Sequence, residues 1–481
     1  MSIHGLCFPL KYQEVCDVIT EGNKSIMRKI LFIAIFISFC FGAAAQQSTA
    51  GLDSLINSRL AGVAPGCAVL IAKHGQVIYE KAFGKADLEL NVPMKPDMVF
   101  RLGSITKQYT AIAILALVEQ GKISLQDSIQ KFIKDFPNKG HTITIENLLT
   151  HTSGIIDYES LDMKIPNVYR LDFPPKQFVD SLAHHPLVFT PGSKFSYCNS
   201  NYFILGYIIE QITGKSYAEY MRQHIFTPAG LTSTYYDDEK QIIPNRVSGY
   251  GKWNNGKYEN ADYIGLSQVY AAGALLSNVE DMFKWHRALY GYKLVRKETL
   301  EKAFTSYKLT DGTLSGYGYG WFIKDQNSEK SIEHAGGIDG FQSDEVYLPR
   351  QDIFIATLYI SLNNGGDDMS FMLLSNDIVT LAMGKTLAKE VKVADAILKQ
   401  YVGVYQFDAK HSATITLENG QLQMEALAGG LPKSPLFAES DNKFLLKVVK
   451  AEIEFVKDAQ GNVIKLIAHV NGQDQVCNKI K

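Results

Sequence analysis

Residues 100–107, FRLGSITK, decide how the rest of this chain is interpreted. Ser104 opens a long apolar run that ends at Gly121, and this pattern predicts a helix over 104–120. Three residues are close to one helical turn, so the Lys107 amine can approach the Ser104 hydroxyl on the same helix face. A desolvated lysine can accept the serine proton, which makes the pair a candidate nucleophile and base.

The same pair has a structural interpretation, in which Ser104 caps the helix N-terminus and Lys107 is an exposed residue of the first turn. The pattern Ser-x-x-Lys also occurs at Ser128 and Ser440, so it is common by itself. Ser128 lies in a short amphipathic segment and Ser440 in a polar loop, which favours structural roles for both. Other motifs must therefore decide the role of Ser104.

Two further motifs carry side chains suited to the same chemistry. Tyr197 and Asn199 precede a helix-like run, and they offer a phenol for proton transfer and an amide for a substrate carbonyl. His334 precedes Ala335 and two glycines, whose missing side chains would let substrate pack on the backbone with the imidazole at the rim. Taken singly, Tyr197 is also typical of a core, and His334 of a loop histidine with satisfied ring nitrogens.

Hydrophobic periodicity divides the chain into regions. Alternating runs at 66–72 and 76–83 predict a hairpin, and strand patterns return at 321–324, 342–348 and 353–359, followed by a helix-like run over 368–383. The region between is mostly helical, so one sheet is expected to form from distant segments, with the site where the helices meet it. Short alternating runs near the C-terminus predict a separate small β domain over 396–481.

Composition and motif content exclude several function classes. The 481 residues contain 48 Lys and Arg against 50 Asp and Glu, so no basic excess favours a nucleic-acid partner. No His-x-His pair and no His-Glu-x-x-His occurs among the 11 histidines, which disfavours a di-zinc hydrolase. A Gly-x-Ser-x-Gly elbow is also missing from the sequence, which argues against an α/β-hydrolase.

The N-terminal region has the three parts of a signal peptide in the right order. Positive charges at Arg28 and Lys29 precede an apolar run over 30–41, and small residues follow up to Ala45. The apolar run is too short to span a bilayer. We therefore expect a signal peptide over 27–45 with cleavage near Ala45, a mis-assigned extension over 1–26, and a periplasmic or secreted mature chain without a stable membrane span.

Taken in order, Ser-x-x-Lys, Tyr-x-Asn and His-x-Gly resemble the motifs of penicillin-recognising serine hydrolases related to class C β-lactamases. That group also contains DD-peptidases, D-amino-acid peptidases and esterases. The resemblance covers about residues 50–385 and includes FRLGS at 100–104, LLTHTSG at 148–154 and AGALLS at 272–277. It implies an α+β, β-lactamase/transpeptidase-like fold for residues 48–385: an antiparallel sheet flanked by helices, plus an inserted helical region. A small all-β domain follows.

The resemblance also implies a role for each motif residue. Ser104 would be the acylated nucleophile, Lys107 its proton acceptor and Tyr197 the proton relay. Asn199, His334 and Gly336 would bind substrate. The backbone N–H groups of Ser104 and Gly337 would form the oxyanion hole. No metal and no cofactor is expected.

The function implied is an exported serine hydrolase that cleaves an amide or ester bond of a small molecule or peptide through an acyl-enzyme on Ser104. A β-lactam, a D-amino-acid peptide and an ester all remain candidate substrates. His334 stands where many β-lactamases have the lysine of Lys-Thr-Gly, and a histidine is only partly charged at neutral pH. This departure weakens a β-lactamase assignment. A small-ester hydrolase and a slowly acylating penicillin-binding sensor remain as alternatives.

Overall fold

The computed structural model describes residues 51–59, 65–161, 170–238, 240–254, 257–326, 329–360, 369–387, 390–408, 411–426, 431–447, 451–470 and 473–481. The predicted extension over 1–26 and the predicted signal peptide over 27–45 lie outside these residues. The chain divides into two compact units, Met1–Ser54 and Leu55–Lys481. In the part of the chain that the structure describes, no helix is both long enough and apolar enough to cross a membrane.

The strands, in chain order, are β1 (Cys67–Lys73), β2 (Gln76–Phe83), β3 (Lys85–Asp87), β4 (Val92–Pro93), β5 (Phe100–Arg101), β6 (Tyr235–Tyr236), β7 (Tyr250–Asn254), β8 (Lys257–Asn260), β9 (Leu275–Ser277), β10 (Phe322–Gln326), β11 (Glu329–Ile338), β12 (Phe341–Leu348), β13 (Ile353–Ile360), β14 (Gly403–Gln406), β15 (Ser412–Glu418), β16 (Gln421–Ala426), β17 (Leu431–Pro435), β18 (Phe437–Ala438), β19 (Lys443–Leu446), β20 (Ala451–Lys457), β21 (Val463–Val470) and β22 (Gln473–Lys479).

The helices are α1 (51–59), α2 (Thr106–Glu119), α3 (Ile145–Leu149), α4 (Pro175–Ala183), α5 (Asn199–Thr213), α6 (Tyr217–Met221), α7 (Thr227–Ala229), α8 (Leu266–Gly273), α9 (Val279–Tyr290), α10 (Lys297–Ala303), α11 (Met369–Ala382) and α12 (Asp395–Tyr401). Short 3-10 helices cover Gly103–Ile105, Ile129–Lys131 and Tyr158–Ser160, and a π-helical turn covers Arg222–Phe226.

The central sheet has six antiparallel strands in the order β10-β11-β12-β13-β1-β2. Strand β1 pairs with β13, from Cys67 opposite Tyr359 to Lys73 opposite Ile353. Strand β13, IFIATLYI, is buried at every position, as expected for a strand covered on both faces. Distant segments therefore build one sheet with helices inserted between them, and the predicted α+β fold class is confirmed.

Helices α2 and α5 lie at the centre of the helical region. Both are buried over most of their length, which matches their nearly all-apolar sequences. The predicted helix over 104–120 consists of a 3-10 turn followed by α2. Helix α5 ends at Gly214, whose φ of 67° is the left-handed conformation that glycine adopts without steric cost.

Strand β11 is the main difference from the predicted elements. The sequence pattern predicts that His334 and the glycines after it lie between strands, whereas these residues form the second half of β11. Pairing with β12 holds them there, with Gly336 opposite Ser343 and Gly337 opposite Gln342. Two consecutive glycines have low strand propensity and no side chains to show an alternating pattern, so the sequence gives no strand signal there.

The C-terminal region is all β, as predicted. Nine strands form one antiparallel sheet in the order β17-β16-β15-β14-β22-β21-β20-β19-β18. Its two end strands, β17 and β18, are separated in the chain by Leu436 alone. The two edges of the sheet must therefore lie close together, and the sheet curls into a barrel. The boundaries at 48–385 and 396–481 stay predictions.

Helix α11 connects the central sheet to this barrel. Its Asp377 carboxylate lies 3.8 Å from the Lys447 Nζ of the C-terminal sheet and 3.0 Å from the Arg59 guanidinium. The Asn376 amide donates to the Lys447 carbonyl at 3.4 Å. The position of α11 is therefore determined partly by the C-terminal sheet.

Candidate active site

Ser104 lies in the tight 3-10 turn before α2, where its side chain is partly exposed. The turn packs closely on β11, because an added Cβ on Gly103, whose φ is 51°, would lie 2.8 Å from the Gly337 carbonyl oxygen. No side chain caps either the turn or α2. The interpretation of Ser104 as a helix cap therefore finds no support, and its hydroxyl is available for other contacts.

Lys107 is fully buried rather than exposed. Its Nζ lies 2.8 Å from the Ser104 Oγ, 2.7 Å from the Asn199 Oδ1 and 2.9 Å from the Ala272 carbonyl oxygen. Burial lowers the pKa of the Lys107 amine to about 7, and the nearby carboxylates of Glu159 and Asp157 oppose this shift. The amine is therefore neutral in a large fraction of molecules at pH 7 and can accept a proton.

Tyr197 completes a cluster around the Ser104 hydroxyl. Its phenol forms a hydrogen bond with Ser104, and its ring centroid lies 4.9 Å from the Lys107 Nζ. Burial raises the pKa of Tyr197 far above its usual value. The buried His151 ring packs on Tyr197 at 4.4 Å between centroids, and its Nδ1 accepts a hydrogen bond from the Cys198 N–H, which fixes the loop. The phenol therefore stays protonated and acts as a donor.

Asn199 begins α5 and uses both ends of its amide. The oxygen accepts from Lys107, and the nitrogen donates to the Glu159 Oε1 at 2.9 Å. Its backbone N–H donates to the Asp157 carboxylate at 3.1 Å, in the first turn of the helix. Asn199 therefore orients Lys107 and Glu159, and its predicted contact with substrate stays a prediction.

His334 does not lie at the rim, which corrects that expectation. It is 1% exposed on β11 and is not among the residues that line the cavity at Ser104. Its Nδ1 lies 2.6 Å from the Ala335 carbonyl oxygen, which can only accept, so its Nε2 accepts from the Tyr317 hydroxyl at 3.0 Å. Burial lowers the pKa of His334 to about 3, so the ring is neutral and Tyr317 is its partner.

The predicted oxyanion hole lies where the Ser104 turn meets β11. Strand β10 pairs only with the first half of β11, up to Glu333, which leaves the other half free to face the turn. An added Cβ on Gly336 would lie 2.0 Å from the Leu102 carbonyl oxygen and 2.9 Å from the Ser104 nitrogen. The missing side chain of Gly336 therefore admits the Ser104 turn and brings the Gly337 backbone beside Ser104. Gly336 also lines the cavity at Ser104, and its predicted contact with substrate stays a prediction.

A cavity of about 360 Å³ opens onto this cluster. Its wall includes Glu159, which could not be selected from the sequence because an acidic residue in a single 3-10 turn carries no periodic or motif signal. Burial raises the pKa of both Glu159 and Asp157. The residues that line the cavity are Gly103, Ser104, Tyr158, Glu159, Tyr197, Asn199, Val269, Ala272, Gly273, Ala335, Gly336, Gly337, Ile338, Gln342, Phe371 and Met372. No lysine or arginine occurs among these described residues.

The two other Ser-x-x-Lys serines have structural contacts. Ser128 accepts a hydrogen bond from the Gln130 N–H at the start of a 3-10 helix. Ser440 accepts from the Lys443 N–H at 3.1 Å in a turn between β18 and β19. Neither lysine amine is placed against its serine: Lys131 pairs with Asp127 and Lys443 with Glu452. Both are therefore local turn or capping residues.

Among the described residues, one group brings three side chains of the metal-ligating type together: Glu452, Glu454 and His469, on β20 and β21. The Lys443 Nζ lies 2.6 Å from Glu452 and 3.7 Å from Glu454 and already supplies a positive charge. The group is remote in sequence from Ser104 and belongs to the barrel.

The residues of the Ser104 cluster lie in a region that matches a known protein family. A model of the beta-lactamase family matches residues 52–371, which contain every residue of the Ser104 cluster. The chain belongs to the beta-lactamase family. Residues 387–479 match a domain of unknown function that corresponds to the barrel.

Relatives of this beta-lactamase family member include penicillin-binding proteins. A penicillin-binding protein of Bacillus subtilis (strain 168) is 29% identical over 414 residues, which cover 80% of this chain and 89% of the relative. The octameric penicillin-binding protein homologue from Pyrococcus abyssi has a TM-score of 0.64 at 28% identity and covers 89% of this chain and 100% of its own. These matches confirm the resemblance to penicillin-recognising serine hydrolases.

A D-amino acid amidase from Ochrobactrum anthropi shares the fold, with a TM-score of 0.60 at 23% identity over 69% of this chain and 98% of its own. The family match over residues 52–371 makes this chain a serine hydrolase, and beta-lactamase-fold enzymes act on small-molecule or peptide substrates.

Proposed function

We propose that this enzyme is an exported hydrolase that cleaves the amide bond after a D-amino acid with a free amino group, through an acyl-enzyme on Ser104. The observation that carries the proposal is the contact between the Ser104 hydroxyl and the buried Lys107 amine. A nucleophile next to a base of matched pKa is the arrangement that acyl transfer requires.

Acylation begins with proton transfer from the Ser104 hydroxyl to the Lys107 Nζ. In the neutral amine, two N–H groups can donate to the Asn199 oxygen and the Ala272 carbonyl, which leaves the lone pair directed at Ser104. The Ser104 Oγ then bonds to the substrate carbonyl carbon. The backbone N–H groups of Ser104 and Gly337 stabilise the charge on the carbonyl oxygen, and such a donor is typically worth about 3 kcal/mol.

Loss of the leaving amine requires a proton, which Tyr197 supplies. Its phenol donates as the carbon–nitrogen bond breaks and regains a proton from the Lys107 ammonium. Deacylation reverses the roles: water loses a proton to the same pair, and its oxygen bonds to the acyl carbon. The Ser104 ester bond then breaks, and the Ser104 Oγ takes up that proton to restore the hydroxyl. The net reaction consumes one water and requires no external oxidant or reductant.

The charge of the cavity wall supports the choice of substrate. Glu159 lines the cavity, the neighbouring His334 is neutral, and no lysine or arginine lies among the described lining residues. A substrate carboxylate, as in a β-lactam or at a peptide C-terminus, would have no lysine or arginine partner among the described lining residues. A substrate ammonium group could instead pair with Glu159. The D configuration rests on the resemblance to D-amino-acid peptidases.

Replacing Glu159 with glutamine is expected to lower kcat/KM for D-alanine p-nitroanilide about 10- to 100-fold, because a charge-assisted hydrogen bond contributes about 1.5–3 kcal/mol. Glutamine keeps an oxygen that can accept from Asn199, so the cluster remains intact. The N-acetylated substrate, which has no ammonium group, should change less than about threefold by the same argument.

Glu298→Gln, an exposed position on α10, is the matched control and should leave both rates unchanged. An equal loss on the free and the acetylated substrate would mean that Glu159 only positions Asn199. Faster cleavage of the L isomer would contradict the D assignment. Turnover of simple esters without turnover of either amide would instead support the small-ester hydrolase. A stable adduct without turnover would support the penicillin-binding sensor.

Export is the part of the proposal that rests on sequence alone. The charged, apolar and small-residue segments over 27–45 support cleavage near Ala45. Expression of the full chain in a bacterium with a periplasm should yield a mature protein whose first residue is Gln46. A chain that keeps residues 27–45 and stays in the cytoplasm would refute export without touching the catalytic assignment.

A further inference from the structure

The interior of the C-terminal barrel is filled unevenly. At one end, aromatic side chains from α12 and the surrounding strands pack together. Tyr401 stacks on Phe455 at 4.1 Å between ring centroids, and Tyr405 and Phe444 contact the same ring at 5.8 and 5.5 Å. The tyrosine hydroxyls are satisfied by backbone carbonyls. Side chains therefore fill the interior of the barrel at this end.

The other end contains small side chains instead. Ala451, Ala468 and Ala426 occupy inward positions on β20, β21 and β16, where the strands alternate between buried and half-buried residues. Leu446 and Ile453 complete an apolar wall. The result is a cavity of about 650 Å³, within the usual range of ligand pockets. Barrels of this size either fill their interior with side chains or hold one small ligand.

Polar residues surround the mouth of this cavity. The exposed Asp408 carboxylate accepts a hydrogen bond from the His411 Nδ1 at 2.8 Å, and Ser412 and Gln475 are exposed beside them. No lysine or arginine lies among the described residues that line the cavity. Among the described residues, the mouth thus has one carboxylate, partnered by His411, above an apolar floor. This combination matches an amphiphilic molecule with an uncharged or cationic head group.

We propose that the C-terminal barrel binds one aliphatic chain, with the chain in the alanine-lined cavity and an uncharged or cationic head group at the Asp408 and His411 mouth. The site shares no lining residue with the catalytic cavity. An apolar cavity offers water no hydrogen-bond partner, so it stays dry and can take up apolar molecules. Binding here is separate from the reaction at Ser104 and from the function proposed for it.

The test uses the fluorescent apolar amine N-phenyl-1-naphthylamine with the full mature chain. The expected result is saturable binding of one probe per chain, displaced by dodecylamine and by dodecanol but much less by dodecanoate. Ala468→Phe places a ring inside the alanine-lined part of the cavity and should weaken probe binding at least about tenfold, a loss of about 1.4 kcal/mol. Ile464→Phe adds the same ring at a residue of the same strand that is 44% exposed, and should leave binding unchanged.

Ser104→Ala should also leave probe binding unchanged, which separates this site from the catalytic one. Thermal unfolding and turnover of a small amide show whether Ala468→Phe is folded; if it is not, the smaller change Ala451→Leu replaces it. The proposal is overturned if a folded Ala468→Phe or Ala451→Leu variant binds the probe as the wild type does. It is also overturned if the wild type shows no saturable binding. Equal displacement by dodecanoate overturns the head-group assignment.

Discussion

Ser104→Ala is expected to abolish both covalent labelling and turnover. In the proposed mechanism the Ser104 hydroxyl is the only group of the cluster that forms a bond to substrate, and loss of an acylated nucleophile typically lowers kcat by about 10⁴–10⁶-fold. The side chain caps no helix, so the variant should unfold at the wild-type temperature. Intact-protein mass after exposure to a fluorophosphonate probe, together with hydrolysis of D-alanine p-nitroanilide, measures both effects.

Ser128→Ala and Ser440→Ala are matched controls, because each removes the serine of another Ser-x-x-Lys pattern. Both should label and turn over like the wild type. Each serine accepts a local N–H bond, so a small loss of stability is acceptable, whereas loss of labelling is not. A fluorophosphonate adduct that persists in Ser104→Ala would remove Ser104 from the mechanism.

Lys107→Met is expected to slow acylation about 10²–10⁴-fold, the usual effect of removing a positioned base. Methionine preserves the apolar packing of this buried position. In the wild type, kcat/KM should rise with pH up to about 7 and then level off, because only the neutral amine can accept the Ser104 proton. The N-acetylated substrate is the right probe for this profile, since titration of Glu159 does not affect its binding.

Tyr197→Phe separates the role of the proton donor from that of the Lys107 base. It should slow turnover in the same range of about 10²–10⁴-fold, because the leaving amine loses its proton donor. It should nevertheless keep the rise in rate with pH, because Lys107 remains. A Lys107→Met variant with nearly normal acylation, or a wild-type rate independent of pH between 5 and 8, would contradict the assigned base.

The parts of the site that depend on local spacing could be predicted from the sequence. Helical geometry alone brings Lys107 to Ser104. Tyr197 and Asn199 lie about ninety residues further along the chain, so their place in the same cluster followed from the family resemblance and not from spacing. The position of His334 could not be predicted, because its burial depends on Tyr317, which comes from a separate loop. A sequence pattern indicates that such a ring exists but not what covers it.

Glu159 and the barrel cavity lay beyond sequence reasoning for other physical reasons. Glu159 becomes a cavity wall only because Asn199, forty residues later in the chain, binds its carboxylate. Alternating runs correctly predicted the strands of the barrel, but alanine at an inward position has the same pattern as leucine. The alternation of the sequence shows which face of a strand is buried. The volumes of the side chains on that face decide whether the interior of the barrel is filled.

Helix α11 has a consequence for how this protein can change. Phe371 and Met372 at its beginning form part of the wall opposite Ser104, while Asn376 and Asp377 contact Lys447 of the barrel. Helix α11 thus forms part of the wall of the substrate cavity and also contacts the C-terminal sheet. Mutations that alter the barrel around Lys447 are therefore expected to change the cavity wall at Phe371 and Met372 without touching Ser104, Lys107 or Tyr197.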